Sequence, residues 1–214
     1  MESPLQSLLN KQKLMISQHK ELAEIIFDFE TRNKYDIYDL NKKPLGHILE
    51  RGKGLWHFVK RLLLRSHRPL SIDVLDENRQ RALHLHRRFF FIWSDLYVDT
   101  PDGRRIGRIH RRFSIIHKKY DLRDAGGNLI ATIESPFWRL WAFPLKRHGQ
   151  QIGVITKKWQ GLAKEFLADA DSFLVDFGGH PWGREEKLII FSAAISIDFD
   201  HFEDNSMRSS LPFP

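Results

Sequence analysis

Cysteine is missing from all 214 residues. Disulfides, thiolate catalysis, cysteine-ligated zinc and palmitoyl anchoring are excluded with it. The opening "MESPLQSLLNKQKLM" lacks the unbroken apolar core of a signal peptide, and Glu2 is the wrong second residue for N-myristoylation. No phosphate-binding glycine loop, serine elbow or HExxH occurs, so no catalytic constellation is present and the chain reads as a non-enzyme. Acidic residues are the scarcer sign, 27 against 34 basic ones, for a net charge of +7. That balance favours anionic partners, nucleic acid or a phospholipid surface, without choosing between them. A cytosolic or cytosol-facing protein is the expectation.

A hydrophobic fraction of 42% allows a sizeable core. The middle of the chain repeats one pattern: a short alternating strand, a polar turn, then an apolar residue with Gly or Ala entering a second strand. "YDIYDLNKKPLGHILE" carries it at Leu45-Gly46, and "LSIDVLDENRQRALHLH" around Arg81-Ala82. "LYVDTPDGRRIGRIHR" has Ile106-Gly107, "YDLRDAGGNLIATIE" has Ile130-Ala131 and "FPLKRHGQQIGVITK" has Ile152-Gly153. The later ones recur at roughly 22 to 25 residues, the spacing of successive hairpins. Tyr35, Ile37 and Leu40 alternate with Asp36 and Asp39, and Ile72 and Val74 with Asp73. Five hairpins without crossover helices predict a meandering antiparallel sheet. A sheet of about ten strands tends to close, because closure removes its edges.

"EKLIIFSAAISIDFDHFE", residues 186–203, is apolar on almost every face. A helix of that kind must be surrounded. Its unbroken apolar part is about a dozen residues, short of the roughly 20 that span a bilayer. A buried helix along a barrel axis would fill the lumen; a final strand or a membrane span are the alternatives. Ser192, Ser196 and Asp198 lie within it, the hydroxyls placed to bond nearby carbonyls.

"HKELAEIIFDFETRNKYDIYD" near the start, then "GVITKKWQGLAKEFLADADSFLVDF" and "LIIFSAAISIDFDHFE", resemble the opening and close of the phospholipid scramblase family. The resemblance runs over roughly residues 5 to 203 and implies the tubby C-terminal-like fold. That fold is mainly β with some α: a closed antiparallel barrel of about twelve strands around a central hydrophobic C-terminal helix. The domain expectation is a helical or extended N-terminal segment, 1–28, packed on the barrel. The barrel follows over 29–203, with its helix at about 185–203, and then a flexible tail, 204–214. The animal members' proline-rich extension and cysteine cluster have no counterpart, so anchoring by acylation does not carry over.

The resemblance also marks 169–180 as an EF-hand-like calcium loop, making Asp169, Asp171 and Asp176 candidate Ca2+ ligands. Calcium loops of twelve residues want oxygen at the first, third, fifth, seventh, ninth and last positions, with Gly sixth. Asp169 and Asp171 stand first and third, but Phe173 is fifth, Leu174 sixth and His180 last. Capping of a turn by the two aspartates is the bland reading.

Candidate membrane residues fall in two places. "RGKGLWHFVKRLLLRSHR", 51–68, forms a basic amphipathic helix if helical, with Trp56 on the apolar side and Lys60, Arg61 and Arg65 on the polar one. Such a helix suits an anionic membrane or packs on a barrel wall. Arg104, Arg105, Arg108, Arg111 and Arg112 are the second group, with Arg108, His110 and Arg112 sharing a strand face. Tubby-like barrels bind phosphoinositides through basic surface residues, and this stripe is the counterpart the resemblance implies; solvated strand faces explain it equally well. Phe89, Phe90 and Phe91, directly after Arg87-Arg88, are read as core, with a membrane-inserting edge as the alternative. His84 and His86 share a face but lack a third zinc ligand.

The resemblance implies a phospholipid scramblase family protein that binds anionic membranes and mediates or assists transbilayer movement of phospholipids. The expected place is the cytosolic face of a membrane. A peripheral lipid-binding tether without scrambling, or a basic nucleic-acid-binding protein, are the competing readings.

Overall fold

The structure is a computed structural model that describes residues 5–18, 31–51, 69–89, 94–139, 141–158 and 172–201. A short helix, α1 (Gln6–Leu9), leads into β1 (Lys13–Gln18), β2 (Thr31–Tyr38), β3 (Pro44–Arg51) and β4 (Leu70–Asp76). Next come β5 (Arg81–Arg87), β6 (Ser94–Asp99), β7 (Arg105–Arg112) and β8 (His117–Asp124). The sheet continues with β9 (Leu129–Pro136), β10 (Ala142–Arg147), β11 (Gln150–Lys158) and β12 (Ser172–Asp176), and α2 (Arg184–His201) follows. The twelve strands form one closed antiparallel barrel, each next to its neighbour in sequence, with β1 seated between β2 and β12.

Four of the repeated hairpins share one turn. Asp39, Asp76, Thr100 and Asp124 each accept a backbone N–H from the residue three later and donate their own N–H to the carbonyl one further on. The three aspartates also take backbone N–H groups on their side chains: Asp39 from Asn41 and Lys43, Asp76 from Asn78 and Gln80, Asp124 from Asn128. Side-chain bonds, from Lys11 to Asp39 and from Asn128 to Asp124, are the main cause that holds both carboxyls below the usual range, and the backbone bonds add to it. The turn's third residue beyond its start is left-handed (Lys42, Arg79, Gly103, Gly127), and the register slips beside each turn. This is a type I turn followed by a bulge. The fifth hairpin turns in two residues, His148 and Gly149, both at positive φ.

The meander therefore has a tight-turn end, where α2 begins, and an opposite rim, where α2 finishes. Leu8, Leu9 and Trp182 bury themselves at the tight-turn end or close beside it. Lys187 donates to the carbonyls of Leu9 (2.7 Å) and Lys11 (3.1 Å), and Trp182 to that of Phe177 (2.7 Å). Glu186 reaches back to the N–H of Gly183 at 2.8 Å, half of a capping box, and Glu185 and Glu186 suit the positive end of the helix.

Inside, every residue of α2 from Ile189 to Asp200 is buried. The helix packs mainly on β7 and β8, with further contacts to β6, β12 and α1. Eighteen residues make about 27 Å of helix, matching an eight-residue strand of about 26 Å. Inward residues such as Ile48, Val74, Leu85, Val98, Leu122, Ile133 and Phe143 close around it. Ser192 donates to the Leu188 carbonyl at 2.8 Å, as the sequence predicts. No helix is long and apolar enough to cross a membrane among the described residues.

Two expectations shift. The N-terminal segment does not merely pack on the barrel: its residues Lys13–Gln18 are strand β1 and close the sheet, because Leu14 and Ile16 alternate inward. Leu40 lies in a turn and is exposed, outside the alternation of β2.

Gly46 and Gly153, entering their strands, leave room for neighbouring backbone, and Gly107 also lets the helix come close. A Cβ on Gly107 would overlap the Ile189 side chain and the Arg123 carbonyl oxygen. Gly107→Val is therefore expected to destabilise the fold by about 1–3 kcal/mol. The check is a lower urea midpoint with an unchanged slope, followed by circular dichroism.

Candidate functional site

The outer wall is polar and internally paired. Four imidazoles sit against carboxylates on it: His47 on Asp36 (2.6 Å), His84 on Asp73 (3.0 Å), His86 on Asp99 (3.3 Å) and His110 on Asp95 (2.9 Å). His84 and His86 stack at 5.6 Å, each with its own carboxylate. Burial, together with Arg105 and His84, lowers the His86 pKa against the pull of Asp99. Among the described residues no three His, Asp or Glu are grouped to hold a metal.

The arginine stripe is dispersed by its own partners. Arg104 meets Glu185 on the tight-turn end (2.9 Å), and Arg105 binds Asp99 (2.9 Å) while lying 3.9 Å over the Tyr97 ring. Arg112 shares Asp121 with Arg123, each at 3.1 Å. Arg108 faces outward beside them on β7. Arg111 points the other way, into the lumen, 3.8 Å from Asp200. The strand alternation thus brings Arg108, His110 and Arg112 to one face and separates Arg111 from them.

Trp56, Lys60, Arg61 and Arg65, with Asp169 and Asp171, lie outside the described residues. Asp176 lies inside them, at the end of β12. Its carboxylate binds Lys13 (2.9 Å) and accepts the Gly178 N–H (2.9 Å). The centre of the expected calcium loop, Ser172–Asp176, is a strand paired on both sides, and Phe173 turns into the core. His180 lies against Arg147 (3.0 Å) and the Trp182 ring. A calcium loop needs a tight turn and converging oxygens, so this half of the segment does not fit the ion.

Polar chemistry that the sequence does not announce collects inside the barrel, at the rim end of α2. Asp200 is fully buried and binds Arg87 (2.5 Å), itself buried, while the Tyr120 hydroxyl donates to its other oxygen (3.0 Å). Asp198 accepts from Tyr35 (2.6 Å) and Lys157 (3.3 Å). His201 Nε2 lies 2.8 Å from the Tyr120 oxygen. Burial pushes His201 down to about 3, with Lys118 and Arg111 assisting against Asp200, so its ring is neutral. Burial and Asp200 raise Tyr120 well above the ordinary phenol, keeping its proton. The arrangement assigns a chain in which His201 Nε2–H donates to Tyr120 and Tyr120 donates to the Asp200 carboxylate. Lys118 is also inward, its amine 5.3 Å from the Phe143 ring, and burial with Arg111 nearby lowers it to about 8.

Above this cluster the rim is apolar. Phe89, expected in the core, is exposed, and so are Phe113, Ile115, Ile116, Phe137, Trp138 and Trp141. Phe90 and Phe91 lie outside the described residues. In the sequence, "RFSIIHKK" and "SPFWRLWA" look like ordinary strand flanks. The signal that distinguishes them is a run of large apolar residues breaking the alternation with no carboxylate beside it.

Two outcomes follow from the buried cluster. Arg87→Leu leaves the Asp200 charge in the lumen and is expected to cost about 3–5 kcal/mol, read from chemical unfolding. For His201 the folded pKa lies below the unfolded 6.5, so the unfolded chain binds more protons between them. Stability is therefore lost as pH falls from 6.5 toward 3. His201→Gln, which keeps an N–H donor without titrating, is expected to reduce that loss between pH 7 and 5 relative to wild type, measured as urea midpoints.

A family model described as Scramblase matches residues 1–204. A phospholipid scramblase family protein of Schizosaccharomyces pombe is 23% identical over 94% of this chain and 62% of its own length. The altered inheritance rate of mitochondria protein 25 of Saccharomyces cerevisiae is 23% identical over 95% of this chain and 74% of its own. Human phospholipid scramblase 4 is 27% identical over 96% and 66%. The chain thus spans under two thirds of the first relative's length. No solved structure gives a significant match. With the family model covering almost the whole of a filled twelve-strand barrel, the chain belongs to the scramblase family.

Proposed function

We propose that this protein binds anionic phospholipid membranes peripherally, at their cytosolic face, and mediates or assists movement of phospholipids between leaflets. The observation that carries the peripheral part is the barrel itself: its lumen is filled by α2, and its outer wall bears carboxylate–imidazole and carboxylate–arginine pairs. A membrane-spanning barrel has the opposite polarity, apolar outside and wet inside. Contact with lipid therefore comes at the surface. Several relatives are named phospholipid scramblases, which supports lipid as the partner.

Transbilayer movement on this reading works by disturbing the leaflet the protein touches. Transferring α2 into the bilayer would empty the core and strip partners from Asp198 and Asp200, which are costly to bury alone. The segment with Trp56, Lys60, Arg61 and Arg65 is a further contact on this proposal; β3 leaves the barrel for it at Arg51 and β4 returns at Leu70, both at the rim. The stripe on β7 supports nucleic-acid binding less well, because Arg104, Arg105 and Arg112 already hold carboxylates.

Sedimentation with phosphatidylserine-containing vesicles is expected to capture the protein, weakening with salt, with little capture by phosphatidylcholine alone. Proteoliposomes carrying a fluorescent phospholipid then read leaflet exchange, with calcium and with chelator. Exchange that ignores calcium and survives Asp169→Ala is the expected result. Capture without exchange would leave a lipid-binding tether. Failure of capture by the phosphatidylserine-containing vesicles would sink the proposal.

A further inference from the structure

The two rim connections between β7 and β8 and between β9 and β10 expose a patch that the barrel does not explain. Ile115 is 82% exposed, Trp138 69%, Phe113 65% and Phe137 61%, with Ile116 and Trp141 also exposed. Exposed large apolar groups this concentrated mark an interaction surface on a folded protein. The tight-turn end offers a contrast, since three of its turns are built on carboxylates and its large exposed apolar side chains, among the described residues, are Leu40 and Leu129.

The patch is held by backbone bonds. Phe137 donates its N–H to the Ile116 carbonyl at 2.9 Å, tying one connection to the other. The Ser135 hydroxyl lies within bonding distance of the carbonyls of Arg139 (3.2 Å) and Ala142 (2.8 Å), and the Lys157 N–H donates to the Trp141 carbonyl (2.9 Å). The Ser114 hydroxyl accepts the His117 N–H at 3.2 Å. These bonds present the side chains outward in a fixed arrangement, which lowers the ordering cost of any docking.

Charge selects the occupant. Among the described residues 88–89, 112–117, 136–139 and 141, the charged side chains are Arg88, Arg112 and Arg139, with no carboxylate. Arg88 and Arg139 are exposed. Tryptophan and phenylalanine ringed by arginine match the boundary between lipid headgroups and acyl chains. Anionic headgroups would meet the arginines while the rings enter the acyl boundary.

We propose that the rim at the C-terminal end of α2 is the membrane-docking face: Phe113, Ile115, Ile116, Phe137, Trp138 and Trp141 insert into an anionic phospholipid bilayer, with Arg88 and Arg139 on its headgroups. This rests on the reading that the protein works at a phospholipid surface and fixes its orientation there, with the barrel axis steep to the bilayer and the tight-turn end in water.

Because the chain has no native cysteine, one introduced thiol reports one place. Ile115→Cys and Leu129→Cys, each labelled with the environment-sensitive fluorophore NBD, are titrated with phosphatidylserine–phosphatidylcholine vesicles carrying a lipid-borne quencher. The label at 115 is expected to shift blue and be quenched; the label at 129 is expected to do neither. The double variant Ile115→Asp, Trp138→Asp should sediment with those vesicles at least tenfold more weakly, the loss that withdrawing one large apolar side chain produces. Its thermal midpoint should match wild type, since both positions are exposed. Wild-type capture with the 115 label still in water, or capture unchanged in the double variant, overturns the docking face while leaving lipid binding intact. Absence of any capture overturns both. A 115 label that becomes shielded without vesicles, alongside a dimer in analytical ultracentrifugation, assigns the rim to a second copy instead.

Discussion

An α-helix without a polar side cannot lie on a surface, and α2 from Leu188 to Phe199 has none. Its apolar groups are withdrawn from water only when enclosed all round, each large one contributing about 1.5–3 kcal/mol. A closed sheet is the shape that does this, and twelve strands leave a lumen wide enough for one helix. The inner face of the sheet is consequently apolar and its outer face is left to charged pairs. Polarity of the wall and the glycine facing Ile189 both derive from that enclosure, and the proposed peripheral contact with lipid follows from it.

Enclosure by apolar contact alone would leave the helix free to slide or turn. Asp198 and Asp200 remove that freedom, because each finds its partners at one depth and one rotation: Tyr35 and Lys157 for the first, Arg87 and Tyr120 for the second. A step of one residue turns the helix by about 100° and leaves a buried carboxylate facing leucine and isoleucine. The groups that fix the helix are therefore among the costliest in the molecule to bury, and they are concentrated where the lumen meets the rim.

Much of the fold is legible in the amino-acid order. Alternation in Tyr35–Ile37 and Ile72–Val74, and the repeated turn followed by Gly or Ala, carry the hairpins; the all-apolar run carries the helix. What escapes is non-local. That Lys13–Gln18 closes the barrel depends on pairing with Ser172–Asp176, far along the chain, which alternation at Leu14 and Ile16 does not announce. Inward cations escape for a related reason: alternation assigns faces, but by habit gives charged residues to water, whereas Arg87, Arg111, Lys118 and Lys157 lie inside. The rim is hidden because irregular connections have no period to read. Of the expected lipid contacts, Arg108 and Arg112 lie together on the outer wall, Arg104 and Arg105 nearer the tight turns, and Arg111 within the lumen.

The pairing of β1 with β12 places one of the first strands made beside the last one, and the helix that both enclose comes later still. Hairpins β2 through β11 can form in order as the chain emerges, each from neighbours in sequence. The lumen they line cannot be filled until Arg184–His201 has left the ribosome. Only then can Asp198 and Asp200 meet the strand residues that hold them. Until β12 is made, the sheet lacks the strand that joins β1 to β11, so those two are its open edges, and the apolar trough between them waits for α2; such exposed edges and apolar surface are what chaperones act on.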